Sequence, residues 1–267
     1  MKRQSAVSGT FYHHDAAALE AEFQYFDDVA AKHFPHLHTM PIPRALIVPH
    51  AGYMYSGFTA SCAYRSVPYG HYDRVVVLGP SHRIYLKGVS GCLFEGYDTP
   101  FGMLPFNEKT YVLLQEQKLI NAHKEAHQEH STEVQFPFIY RYFKALPTLE
   151  LVYGENTHEH LCAVVRMILT DPRCLLIVST DLSHFYKQEE AHERDKACIE
   201  AIESLHVRGL DAHGCEACGK AGVKALLDAA SSLGWSVQGL DYRTSGDITG
   251  DKSRVVGYYS ALIVDSA

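Results

Sequence analysis

Three times in 267 residues, an unbroken apolar run stops at a proline, a glycine or a polar pair and is followed shortly by histidine. Arg44-Ala-Leu-Ile-Val-Pro-His-Ala-Gly52 presents His50, and Arg74-Val-Val-Val-Leu-Gly-Pro-Ser-His82 presents His82. Leu175-Leu-Ile-Val-Ser-Thr-Asp-Leu-Ser-His184 presents Asp181 and then His184. Short runs that are apolar throughout read as strands buried on both faces, as in a parallel sheet covered by helices. In open α/β sheets, ligands bind outside the carboxyl ends of such strands. Three imidazoles are therefore expected around one crevice, with the rest of the chain as scaffold and lining.

The remaining pattern agrees with an α/β chain. Helical periodicity covers residues 15–32, 56–64, 108–120, 158–169, 189–205 and 218–233. Strand-like runs cover 45–50, 73–78, 149–153, 174–178, 236–242 and 255–264. Residues 88–94 and 101–104 read as two short strands joined by a 95–100 turn. Thr132 and Gln135 have capping-box spacing, a helix-start signal. Residues 1–15 read as an extended segment packed through Phe11 and Tyr12. Alternation of strands and helices predicts an α/β fold: a mixed, largely parallel central sheet with helices on both faces. No repeat or linker interrupts residues 1–267, so a single domain is expected.

Composition narrows the function. A net charge of −7 argues against a broad nucleic-acid footprint. No apolar run approaches the roughly 20 residues that span a bilayer, and the N-terminus lacks an apolar signal core. A cytoplasmic protein without membrane or nucleic-acid partners is the expectation. Seven scattered cysteines argue against a disulfide framework, and most read as small buried hydrophobes.

Seventeen histidines raise the prospect of a metal. Any one strand-end histidine can simply bond to backbone; three at equivalent positions point to a shared site. Neutral imidazoles with an anionic ligand suit Fe(II), Zn or Cu. Candidate anionic groups are Asp181, Glu129 beside His130, and the thiols of Cys215-Glu-Ala-Cys218. Cys218, followed by Gly219, opens a predicted helix, where a thiol pKa is expected to fall. Tyr53 is a candidate lining residue. No phosphate-binding loop and no Gly-x-Ser-x-Gly elbow is present.

Ser8-Gly-Thr-Phe-Tyr12, Pro49-His-Ala-Gly-Tyr53, Leu78-Gly-Pro-Ser-His82, Glu129-His-Ser131 with Gln135-Phe-Pro-Phe138, Ser179-Thr-Asp-Leu-Ser-His184, Cys218-Gly219, and Ser245-Gly-Asp247 with Val255-Val-Gly-Tyr258 occur in this order. The ordered set resembles the Memo family, whose fold is similar to class III extradiol ring-cleavage dioxygenases. The resemblance implies a cleft lined by His50, His82, His184 and Cys218. It implies a metal on His50, His82 and Cys218, iron(II) first, with copper or zinc as alternatives. His184, Asp181 and Glu129 would serve catalysis or orient ligands, and Tyr53 and His130 would meet a small-molecule or peptide ligand. A thiolate in place of the dioxygenase carboxylate is softer and shifts preference towards copper or zinc. Prokaryotic relatives often neighbour a radical-SAM protein gene, which makes that protein an expected partner.

Three readings follow. The first is a metal-dependent redox or dioxygenase-like protein of unknown substrate. The second is a non-catalytic adaptor that keeps an enzyme-like cleft. The third is a metal-free hydrolase with Cys218 as nucleophile and His184 as base. A Cys215–Cys218 disulfide would remove Cys218 as a ligand and make the site redox-sensitive.

Overall fold

The central strands separate their side chains cleanly between two cores, because successive strand residues point to opposite faces. Strand β1 (Pro43–Val48) sends Ala45 and Ile47 to one side and Leu46 and Val48 to the other. The structure, a computed structural model, describes residues 1–212 and 214–265.

In chain order, helix α1 (Ala16–His33) precedes β1 and buries Leu19, Phe23, Phe26 and Ala30 along one stripe. Helix α2 (Tyr53–Arg65), strand β2 (Arg74–Pro80) and the short strand β3 (Val89–Ser90) follow. Strands β4 (Gly96–Thr99) and β5 (Gly102–Pro105) form a hairpin, then come α3 (Glu108–Glu116), α4 (His130–Glu133), α5 (Gln135–Phe143) and β6 (Thr148–Tyr153). Next are α6 (His158–Leu169), β7 (Cys174–Ser179), β8 (His184–Tyr186), α7 (Gln188–Glu203) and α8 (Gly209–Ala212). The chain closes with α9 (Lys220–Ser232), β9 (Ser236–Thr244), α10 (Ser245–Thr249) and β10 (Val255–Val264).

The main sheet has the order β3-β6-β2-β7-β1-β10-β8, with β9 also paired to β10. Its middle four strands, β6-β2-β7-β1, are parallel, and the pairings outside them are antiparallel. Side chains from α6, α7 and α9 cover one face; α1, α2 and α5 cover the other. The expected mixed α/β fold is what forms.

Several local expectations shift. The hairpin is residues 96–105, not 88–104: Pro100-Phe101 is its tip, and Gly102 accepts the positive φ of 133° there. Residues 89–90 instead add to the edge of the main sheet through β6. Helix α3 stops at Glu116 because Lys118 turns left-handed. Thr132 does not start a helix; Glu129 caps α4, and the Thr132 hydroxyl donates to buried Glu150 at 2.5 Å. The N-terminal segment does lie extended on the body, with Tyr12 buried. Among the described residues, no helix is long and apolar enough to cross a membrane.

Candidate metal centre

Strands β2, β7 and β1 are neighbours, so their carboxyl ends meet at one place. His82 lies two residues beyond β2, His50 two beyond β1, and β7 ends on Ser179. The loop ahead of α9 brings in Cys218. One nitrogen from each of His50 and His82 and the Cys218 sulfur lie within 4.8 Å of one another. Cys218 Sγ is 3.2 Å from His50 Nε2.

Hydrogen bonds fix the state of His50. The single Ser179 hydroxyl hydrogen goes to the Ser131 carbonyl at 2.6 Å. The same oxygen accepts from Gln135 Nε2 at 3.0 Å and faces His50 Nδ1 at 2.9 Å. Gln135 is itself oriented, because its Oε1 accepts from Tyr64 and its Nε2 also donates to the Pro49 carbonyl. With its own hydrogen committed, Ser179 accepts from His50, so the imidazole proton sits on Nδ1. Nε2 keeps its lone pair and points it at the Cys218 side, the form a metal needs. Burial, with His82 and His130 adding, pushes the His50 pKa well below the ordinary value, so the ring is neutral.

Glu129 organises the other two rings. It is fully buried at the N-terminus of α4. Its carboxylate accepts from the backbone N–H groups of His82 (2.6 Å), His130 (2.8 Å) and Ser131 (3.2 Å). It also faces Nδ1 of His82 at 3.3 Å and Nδ1 of His130 at 2.7 Å. Burial alone would raise its pKa; the bonds from His130 and His82 outweigh that and hold it well below the usual carboxylate range. The His50, His82 and His130 rings stand 4.7–5.5 Å apart by centroid.

Glycines let the segments close in. A Cβ at Gly79 would lie 2.7 Å from Ser131 Oγ, and one at Gly219 would lie 2.6 Å from the Ser179 carbonyl. Both positions require the smallest residue.

Other expected residues fall differently. The third ring at the centre is that of His130. His184 opens β8, close enough to act on the charges of His50 and Asp181, but outside the three-donor group. Asp181 supports His50 through the backbone, accepting its N–H at 2.7 Å, and its own N–H meets Cys218 Sγ at 3.2 Å. Burial raises the Asp181 carboxyl above its usual pKa. Tyr53 is buried, its hydroxyl donating to the Val134 carbonyl at 2.6 Å and its ring packed on Phe138. Helix α9 begins only at Lys220, and burial, with Asp181 adding, pushes the Cys218 thiol up to about 12 rather than down. Cys215 is bonded to Cys198, which leaves Cys218 as a free thiol. The other free cysteines, 62, 92, 162 and 174, are buried, as expected.

Two supports lie beyond the reach of motif reading. One is the Ser131–Ser179–Gln135 relay. The other is buried Arg3, which pairs with Glu133 and, at 3.3 Å, with Glu150, and donates to the Glu129 carbonyl at 3.0 Å. The lone acid in the apolar run Leu149-Glu150-Leu151 is the sequence signal for the second.

A profile described as Memo-like protein matches residues 3–262. The chain belongs to the Memo family. A MEMO1 family protein of Aquifex aeolicus (strain VF5) is 32% identical over 273 residues, spanning 98% of this chain and 99% of that protein. One from Sulfolobus acidocaldarius is 32% identical over 284 residues, spanning 99% and 100%. One from Methanothermobacter thermautotrophicus is 33% identical over 273 residues, spanning 97% and 99%. In this Memo chain, a cavity of about 500 Å³ is lined by Arg3, Arg83, Phe94, His127 and Gln128, and none of the candidate metal ligands lines it.

Proposed function

We propose that this chain is a metal-dependent redox protein of one domain, dioxygenase-like, with His50, His82 and Cys218 as ligands. The observation that carries the reading is the convergence of two imidazoles and a thiol, with His50 Nε2 already in the unprotonated ligand form. Tetrahedral ligation with metal–N of about 2.0 Å and metal–S of about 2.3 Å places N and S about 3.5 Å apart, close to the 3.2 Å between His50 and Cys218. Such a donor set suits iron(II), with copper or zinc as softer-ligand alternatives. Bound iron or copper would supply one-electron or O2 chemistry. Glu129 orients His82 and His130, and Asp181 and His184 stand beside the centre as acid–base groups.

Protein purified anaerobically without a His-tag is expected to hold about one equivalent of iron or copper at this centre, lost in both Cys218→Ser and His82→Ala. Elemental analysis decides this. Wild-type protein that stays empty after reconstitution would sink the reading and favour a plain binding cleft or a thiol nucleophile. Ser179→Ala frees the His50 Nδ1 proton from its acceptor, and a loss of roughly 10–100-fold in metal affinity is expected. Unchanged affinity in a chelator competition would remove Ser179 from the centre's support.

A further inference from the structure

A second set of donors lies between helices α6 and α9. His158 is the first residue of α6 and Cys162 lies one turn on, so both occupy one face. Asp228 faces them from α9. Cys162 Sγ is 3.4 Å from His158 Nε2 and 3.4 Å from Asp228 Oδ2. All three donor atoms lie within 4.8 Å of one another.

Those spacings match the edges of a four-coordinate zinc site, about 3.5 Å for bonds of roughly 2.0–2.3 Å. The order of the groups argues against a nucleophilic thiol: the sulfur stands between ring and carboxylate, whereas a Cys–His–Asp nucleophile has the ring in the middle. Cys162 is buried, while His158 and Asp228 are half-buried, which leaves the solvent side open to a water as fourth ligand. Arg166, one more turn along the same face, donates to Asp228 Oδ2 at 3.0 Å and turns the carboxylate towards Cys162.

We propose that His158, Cys162 and Asp228 form a second site, for a zinc-class divalent cation, that clips α6 to α9. It does not depend on the reading given to the strand-end centre.

Cobalt(II) is the probe, because thiolate ligation gives a near-ultraviolet charge-transfer band. Wild type, Cys218→Ser, Cys162→Ser and the double variant are titrated with cobalt, then with zinc. Cys218→Ser is expected to keep one equivalent of thiolate-bound cobalt that zinc displaces, and the double variant to lose the band. Asp228→Asn in the Cys218→Ser background is expected to weaken cobalt binding at least tenfold with the sulfur intact, which covers the case of Cys162→Ser failing to fold. No band in Cys218→Ser, or one that survives in the double variant or is unweakened by Asp228→Asn, would overturn the proposal. The difference between wild type and Cys218→Ser reports separately on the strand-end centre.

Discussion

Glu129→Ala is expected to destabilise the protein by about 3–5 kcal/mol, the usual consequence of deleting one side of a buried charged network. Three backbone N–H groups would lose their acceptor at once, and the His82 and His130 rings would lose the carboxylate that orients them. Metal affinity is expected to fall by at least the roughly 10–100-fold seen when a ligand's orienting partner is removed. Denaturant unfolding of the metal-free protein and a chelator competition measure the two effects. Affinity within twofold of wild type would show that His82 needs no carboxylate. The pH dependence has a definite sign. Glu129 has a depressed folded pKa, so its stabilisation is complete above the ordinary carboxylate value of 4.5 and is lost as pH falls towards the folded value. Glu129→Ala lacks that contribution, so its deficit narrows on acidification.

Arg3→Ala is expected to cost a similar 3–5 kcal/mol, or roughly 10 °C in midpoint for a chain of this size. Arg3 is buried against Glu133 and Glu150, both fully buried. Glu133 also accepts from the backbone of Ala6 (2.7 Å) and Val7 (2.9 Å) and from the Tyr12 hydroxyl (2.9 Å). The arm and the helix carrying the site thus share one carboxylate. Burial alone would raise Glu150; Arg3 and His127 bring it below its usual pKa. Burial would lower His127, but Glu150 outweighs it and raises the ring to about 9. His127 therefore contributes fully below its ordinary 6.5 and loses its contribution as pH rises through about 9. Without Arg3, burial raises Glu150, so the gap to wild type is expected to be widest near neutral pH and to narrow in acid. Thermal unfolding across pH 4–9 on the order of one-unit steps tests this; a gap independent of pH would mean that Arg3 acts by packing alone.

The sheet is legible in the chain because strands buried on both faces need unbroken apolar runs, and β1, β2 and β7 carry them at 45–48, 75–78 and 174–178. His50 and His82 are legible for the same reason, each standing just past a strand that a proline ends. His184 carries the same signature but falls five residues beyond Ser179, far enough for the chain to turn and begin β8. His130 has no strand before it. It reaches the centre because α4 is only four residues long and is held against β2 by the Ser131 hydroxyl on the Pro80 carbonyl, 2.7 Å away. The tautomer of His50 depends on Ser179 at the end of β7 and on Ser131 and Gln135 from the 131–135 stretch, a convergence across distant segments that no local spacing encodes. The Cys198–Cys215 bond is equally hidden, since spacing draws the eye to Cys215 and Cys218.

The position of Arg3 has a consequence for the order of assembly. Its two carboxylate partners follow it by 130 and 147 residues. At a synthesis rate of about 5–20 residues per second, Arg3 is made roughly 7–30 s before Glu150. Helices α1 and α2 and strands β1 and β2 are made in that interval, while the arm waits unpaired. The N-terminal arm therefore cannot complete its buried charge network until both carboxylates have been made, although it lies far ahead of them in the chain.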